Sequence, residues 1–399
     1  MTATTSDLTA ARSRGAVMVA FFLNGFAFAS WASRIPDTRS ALGLGNGELG
    51  LLLLSIAVGS VLTLPSSGAL ITRWGAAAVL RCGVTIGLVG LTTAACAVDV
   101  LASVPLTVVG LMAYGLGSGS WDVAMNVEAA AVEHRLARAI MPRFHAGFSL
   151  GTVAGAGAGA AATALGVPVA WHLGLTALVG LVLVLLTVDR FLPRAVEAAE
   201  TASTASTLAA WREPRTLLIG LMIFACGISE GSANDWLALG LIDGYAAPHW
   251  LGVAGFGLFV ACMTVTRVLG TVLLDRFGRV AVLTCTTVLA AMGVAVVGAG
   301  SHPAAAVAGV VLWGVGAALG FPVGLSAAAD DPARAAARVS VASTIAYSAF
   351  LAGPPLLGLL AEHVGPQQAL LAVAALLAPS TLLVGATRPL AAGRDARTA

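Results

Sequence analysis

The chain of 399 residues contains no lysine; all 21 of its basic residues are arginine. Chemistry that needs a lysine amine, as a Schiff base or a nucleophile, is thereby excluded. Charge of either sign is scarce. Charged residues make up 10% of the chain, against about 25% in a soluble protein. A net charge of +2 gives no basic footprint for nucleic acid, so none is expected as a partner. Cysteine is sparse too. Cys82, Cys96, Cys226, Cys262 and Cys285 stand singly in apolar surroundings. No CxxC or metal-ligand spacing occurs, and they read as small hydrophobes. Without lysine there is no GxxxxGK[ST] loop to cradle a nucleotide, and no HExxH zinc motif is present. Nothing here calls for a cofactor or a metal, and the composition points away from an enzyme.

What is present is apolar. Hydrophobic residues make up 58% of the chain and the mean hydropathy is +0.93. Runs of about 20 apolar residues, long enough to cross the hydrocarbon of a bilayer, fall at 16–36, 47–72, 77–98, 105–130, 145–166 and 169–188. A polar stretch, DRFLPRAVEAAETASTASTLAAWREPR, follows at 189–215. Further runs come at 216–242, 250–274, 280–300, 303–328, 338–360 and 366–386. The pattern predicts an all-α membrane protein of twelve transmembrane helices. It comprises a tail (1–15), a six-helix bundle (16–188), a linker (189–215), a second six-helix bundle (216–386) and a second tail (387–399). No small-residue cleavage site follows the first run, which reads as a retained helix rather than a signal peptide. The arginines of the tails, the linker and the loops at Arg73, Arg143, Arg276 and Arg334 share one side, whereas the other side holds only Arg34 and Arg39. The positive-inside rule places both termini in the cytoplasm of a multi-pass cell-membrane protein.

The halves repeat. TRWG (Thr72–Gly75) and DRFGR (Asp275–Arg279) each follow the second run of their half, offset by 203 residues. Gly115 and Gly119 match Gly316 and Gly320 at an offset of 201, and HAGFSLG ending at Gly151 matches YSAFLAG ending at Gly353 at 202. Repeats in transporters put the solute site near the bilayer midplane, between the halves. These loops resemble the signature of the major facilitator superfamily, although Thr72 stands where the second copy has Asp275. The stretches MNVEAAAVEHRLARAIMPRFHAGFSLG and SEGSANDW further resemble a bacterial branch similar to the fucose-permease type. The resemblance implies two pseudo-symmetric bundles around a central cavity. It also implies gating roles for Arg73, Asp275 and Arg276 in the signature loops.

A charge at the centre of a membrane helix costs about 2.5–3.5 kcal/mol, so such residues usually face the bundle interior and act there. Glu230 falls near the middle of the seventh run, with Asn234 one turn on and on the same face. Asp122 lies in the fourth run with Asn126 at i+4; Val323 is its match in the tenth. Glu230 and Asp122 are the expected proton carriers. Asn24, Phe28 and Trp31 share a face of the first run. With Trp121, Asn126 and Asn234 they are candidates for binding the solute. Arg34 and Asp235 lie at similar depth and predict an ion pair that closes the arginine-poor side. Glu128, Arg143 and His145 predict a network at the other side. Arg267 reads as a partner for Asp275. Gly-rich and Pro-containing interruptions at matching points of the fourth and tenth runs point to the transport site.

The expected function is secondary transport of a small polar or sugar-like solute by alternating access. Protons drive it, and the bilayer and a small-molecule substrate are its partners, with the chain a monomer. Export of an amphiphilic drug or metabolite by proton antiport is the alternative. A membrane receptor that no longer transports is a further class.

Overall fold

A computed structural model describes residues 5–136, 140–192, 208–331 and 334–389. Most of the linker, parts of both tails, and Arg138, Arg194, Arg394 and Arg397 lie outside the described residues. In the first half the helices are α1 (Thr5–Ala32), α2 (Ile35–Leu42), α3 (Asn46–Trp74), α4 (Ala76–Asp99), α5 (Val104–Leu136), α6 (Met141–Ala164) and α7 (Val169–Thr187). In the second half they are α8 (Pro214–Tyr245), α9 (His249–Phe277), α10 (Arg279–Ala299), α11 (Pro303–Ala317), α12 (Gly320–Ala328), α13 (Ala335–Val364), α14 (Pro366–Ala369) and α15 (Leu371–Leu383). Helices suit a bilayer because each satisfies its own backbone hydrogen bonds.

Ten stretches are long and apolar enough to cross a membrane. The helices α5 and α6 fall short of that hydropathy. Their sequences give the reason: α5 carries Asp122, Asn126, Glu128 and Glu133, and α6 is largely Gly and Ala. Apolar side chains elsewhere point outward. Trp171, Leu175, Leu178 and Leu186 on α7 are exposed, as expected of a face turned to lipid tails.

The repeat seen in the sequence is a repeat of packing. In the first half α1 packs on α6, α4 on α5, α3 on α5 and α4 on α7. In the second half α8 packs on α13, α10 on α11, α9 on α11 and α10 on α15. The halves meet along two seams, α3 against α13 and α6 against α9. The signature loops also match in conformation. Gly75 (φ 85°, ψ 155°) and Gly278 (φ 77°, ψ 158°) each end one helix and start the next. L side chains rarely adopt that backbone, so glycine is required at both.

Two expected runs are broken by proline. The first run ends at Ala32, and a new helix starts at Ile35 with Pro36 in its first turn. The tenth run splits between α11 and α12. Pro322 has no N–H and cannot donate to the carbonyl four residues back, that of Ala318, which weakens the helix at the split.

Small residues let the helices approach. A Cβ at Gly151 on α6 would sit 2.0 Å from the Phe22 carbonyl oxygen of α1. That backbone cannot yield without moving the helix. We expect Gly151→Val to destabilise the purified protein by about 1–3 kcal/mol through overpacking, read as a lowered Tm. An unchanged Tm would mean that α1 and α6 do not pack this closely.

Candidate functional site

A cavity of about 330 Å³ lies between the halves, at the low end of the size expected for a small-molecule site. It is lined from the first half by Asn24, Phe28, Trp31, Ser60, Tyr114, Asp122 and Phe148, and from the second by Glu230, Asn234, Asp235, Tyr347 and Phe350. Most of the residues expected to line it do so. Asn24, Phe28 and Trp31 present one face of α1, as their spacing requires. On α8, Glu230, Gly231, Asn234 and Asp235 all reach the cavity, which therefore takes a wide arc of that helix.

Glu230 is not a free carboxylate. Arg267 Nη2 donates to both its oxygens, at 2.9 and 3.0 Å. Arg267 Nε donates to the Ala318 carbonyl at 3.1 Å. This is the carbonyl that Pro322 leaves without a helical donor. Arg267 was expected to pair with Asp275, one helix end away. The structure corrects this, because Glu230 and an orphaned carbonyl lie at its own depth, whereas Asp275 is exposed at the helix end. Both side chains of the ion pair are largely buried, with 25% and 18% exposure for Arg267 and Glu230. His145 lies within electrostatic reach of Arg267.

Asp122 is held differently. The Asn126 amide donates to its backbone carbonyl at 2.9 Å and to Oδ1 at 3.3 Å. Asn126 thus stands behind Asp122 and is not among the lining residues. Trp121 is also displaced from its expected role. It is 1% exposed, packs into the core and lies outside the cavity wall. Tyr347, from the other half, is within electrostatic reach of Asp122.

The expected Arg34–Asp235 gate does not form. Arg34 is buried and pairs with Asp37 at 2.9 Å. It also donates to the Val167 carbonyl at 2.7 Å. The break before α2 turns Arg34 toward its own half, while Asp235 faces the cavity. The arginine-poor mouth is bridged by other residues. Arg39 makes a two-pronged ion pair with Asp243, at 2.5 and 2.8 Å. The Gly47 N–H donates to Glu362 at 2.8 Å, and the Asn46 amide donates to the Ala361 carbonyl at 3.2 Å. His249 Nδ1 lies 3.4 Å from Asp37 Oδ1. Each of these contacts joins the two halves.

At the arginine-rich face, Arg73, Arg143, Asp275 and Arg276 are exposed. Among the described residues none of the four enters an ion pair; Arg276 lies over the Phe277 ring. The network expected of Glu128, Arg143 and His145 is not assembled. Glu128 is buried and accepts from Ser13 Oγ (2.7 Å) and the Leu192 N–H (2.6 Å), while His145 packs edge-on against Phe21. Glu128 faces α1 because it lies on the side of α5 opposite Asn126. Near the corresponding place in the second half stands Asp330, which accepts from Arg215 and Arg279 at 2.8 Å. The same fastening recurs in both halves with different chemistry.

Two Gly-x-Ser-x-Gly stretches, GFSLG at 147–151 and GISEG at 227–231, invite a hydrolase reading. A nucleophile elbow exposes its serine at a strand-to-helix turn. Both stretches lie inside helices, with Ser149 and Ser229 buried. Ser229 accepts from Trp313 Nε1 at 2.8 Å.

Sequence reasoning missed Arg39, Asp243, Glu362 and His249 at the mouth, and Tyr114, Tyr347 and Phe350 in the cavity. One signal was available for the ion pair. Arg267 and Glu230 are opposite charges in neighbouring apolar runs, and buried charges pair.

If the pair neutralises itself, Glu230→Gln leaves Arg267 without its counter-charge. We expect a loss of about 1–3 kcal/mol, below the 3–5 kcal/mol of a fully buried pair because both groups are partly exposed. The double variant Glu230→Gln/Arg267→Gln should recover part of the lost Tm. A double variant less stable than either single one contradicts the pairing.

Known proteins share this architecture. The profile of the Major Facilitator Superfamily matches residues 17–255 and 247–398. An uncharacterized MFS-type transporter of Yersinia pestis is 32% identical over 349 residues, covering 86% of this chain and 88% of that protein. Among solved structures, a variant of the nucleoside transporter NupG superposes with a TM-score of 0.80 at 15% identity, over 94% of this chain and 100% of that one. A variant of the E. coli fucose:proton symporter FucP gives 0.64 at 16% identity, over 93% and 97%.

Proposed function

The chain belongs to the Major Facilitator Superfamily, and on that premise we propose that it carries a small solute across the membrane by alternating access. One observation carries this reading. A cavity bearing carboxylates and polar groups lies between two related halves, and contacts between those halves latch one face. With the positive-inside orientation, the latched mouth is the outer one and the state is open to the cytoplasm. Transport then requires the Arg39–Asp243 and Gly47–Glu362 contacts to part while the halves close over the arginine-rich face. The seams α3–α13 and α6–α9 are the surfaces on which the halves rock.

Proton coupling is part of the proposal, with Asp122 as the carrier. Glu230, expected in that role, is matched by Arg267 and serves to hold the site. Asp122 has no ion pair among the described residues, so a proton can neutralise it. The small polar groups in the cavity favour a compact solute with polar groups of its own. The FucP neighbour is named a fucose:proton symporter, which is compatible with this reading.

The test needs no substrate. Cys82, Cys96, Cys226, Cys262 and Cys285 are first replaced, and Ser118→Cys is placed in the cavity wall. A membrane-impermeant maleimide applied from the arginine-poor side should label it each time the mouth opens. Adding Arg39→Cys and Asp243→Cys and forming the disulfide should abolish labelling, and reduction should restore it. Labelling unaffected by the cross-link would overturn alternating access through this mouth.

Divided by the pH-dependent reactivity of the thiol itself, the labelling rate should still depend on pH, and Asp122→Asn should flatten that remaining dependence. A pH profile unchanged by the substitution would remove Asp122 as the proton carrier.

A further inference from the structure

Resting on the transport reading above, we propose that the solute is an organic cation, a protonated amine on a small and partly apolar frame. Three carboxylates line the cavity: Asp122, Glu230 and Asp235. The cation that meets them is Arg267, and it is already engaged by Glu230 and the Ala318 carbonyl. His145 approaches Arg267 but is not among the lining residues. Asp122 takes only the Asn126 amide on one oxygen. Asp235 meets no partner among the described residues. Among the described residues, two carboxylates of the cavity are therefore left without a cation. A carboxylate facing such a cavity takes either a proton, as Asp122 does in the transport reading, or a cation that replaces that proton.

The walls point the same way. Tyr347 and Phe350 line the cavity with ring centroids 6.3 Å apart, and Phe321 packs against both at 6.3 and 6.5 Å. Tyr347 is the ring that lies within reach of Asp122. An aromatic face beside a carboxylate attracts an ammonium by its quadrupole as well as by charge.

A third observation is independent of the acids. Tyr114 and Asn24 are 2% and 5% exposed, yet both line the cavity. The Tyr114 hydroxyl has no described partner, and the Asn24 amide finds only the Met125 sulfur at 3.8 Å. These are buried polar groups aimed into the space with bonding capacity to spare. They can each donate or accept, and the acceptor-only carboxylates beside them add the preference for a ligand that brings N–H donors. A neutral sugar would satisfy the acceptors and leave both acids uncompensated. An anion would be repelled.

The experiment uses full-length protein in lipid nanodiscs and probes matched except in charge: glucosamine against glucose, and phenethylamine against phenethyl alcohol. The amine of at least one pair should raise the Tm and its neutral partner should not. For that amine, Asp122→Asn should weaken the apparent Kd about tenfold, the loss expected from one charge-assisted hydrogen bond. The inference is overturned if no amine stabilises the protein, or if the neutral partner matches the amine in both pairs. It is also overturned if amine binding survives Asp122→Asn and Asp235→Asn at full strength. The wild-type comparison stands whether or not either variant folds. Failure here leaves the transport reading intact, since opening of the mouth is measured without any ligand.

Discussion

Inside a bilayer a backbone carbonyl that loses its helical donor must find another, because no water is there to supply one. Ala318 is such a carbonyl, and Arg267 supplies the bond. Arg267 is a charge in the same apolar setting, and Glu230 neutralises it. This short chain of needs runs from Pro322 to Ala318 to Arg267 to Glu230. It ties together α8, α9 and the break between α11 and α12. Each link exists because leaving the previous group unsatisfied would cost several kcal/mol. The second half of the cavity is built on that chain, and it accounts for a broken helix and a buried ion pair in one construction.

The first half meets the cavity with other means. Asp122 sits on an unbroken helix and leans on Asn126 one turn along. Its repeat mate is Val323, which is apolar. Similar exchanges recur around the site. Phe28 and Glu230 are repeat mates, as are Ala32 and Asn234, and all four line the cavity, whereas the mates Phe148 and Phe350 keep the same ring there. The duplicated scaffold therefore delivers equivalent positions to one space, where the two copies carry different chemistry. Away from the cavity the copies also diverge while keeping the same mechanical role. Ser13–Glu128 ties α1 to α5 in one half, and Arg215–Asp330 ties α8 to the turn that follows α12 in the other.

Polar contacts between the halves gather at the arginine-poor mouth, where charged side chains are near water. Pairs such as Arg39–Asp243 are screened there and individually weak, which suits contacts that must break and re-form. The buried pair at Arg267 is of the opposite kind. Breaking it would strand a charge in a poor dielectric, so it is suited to remain in place while the halves move. Burial sorts the ion pairs of this protein into those that hold and those that release.

The sequence by itself determined the all-helical membrane class, the repeat, the signature glycines and most of the cavity. These follow from hydropathy and helical spacing, which are local properties. Asn24, Phe28 and Trp31 could be placed on one face because they lie on one helix. Only the tertiary structure decided which charges pair. Arg34 turned to Asp37 and not to Asp235, Arg267 to Glu230 and not to Asp275, and Arg39 to Asp243 some 204 residues away. An ion pair depends on a few ångströms between different helices. Those separations are set by proline breaks and by small residues at the seams, acting together through the packing of the whole bundle.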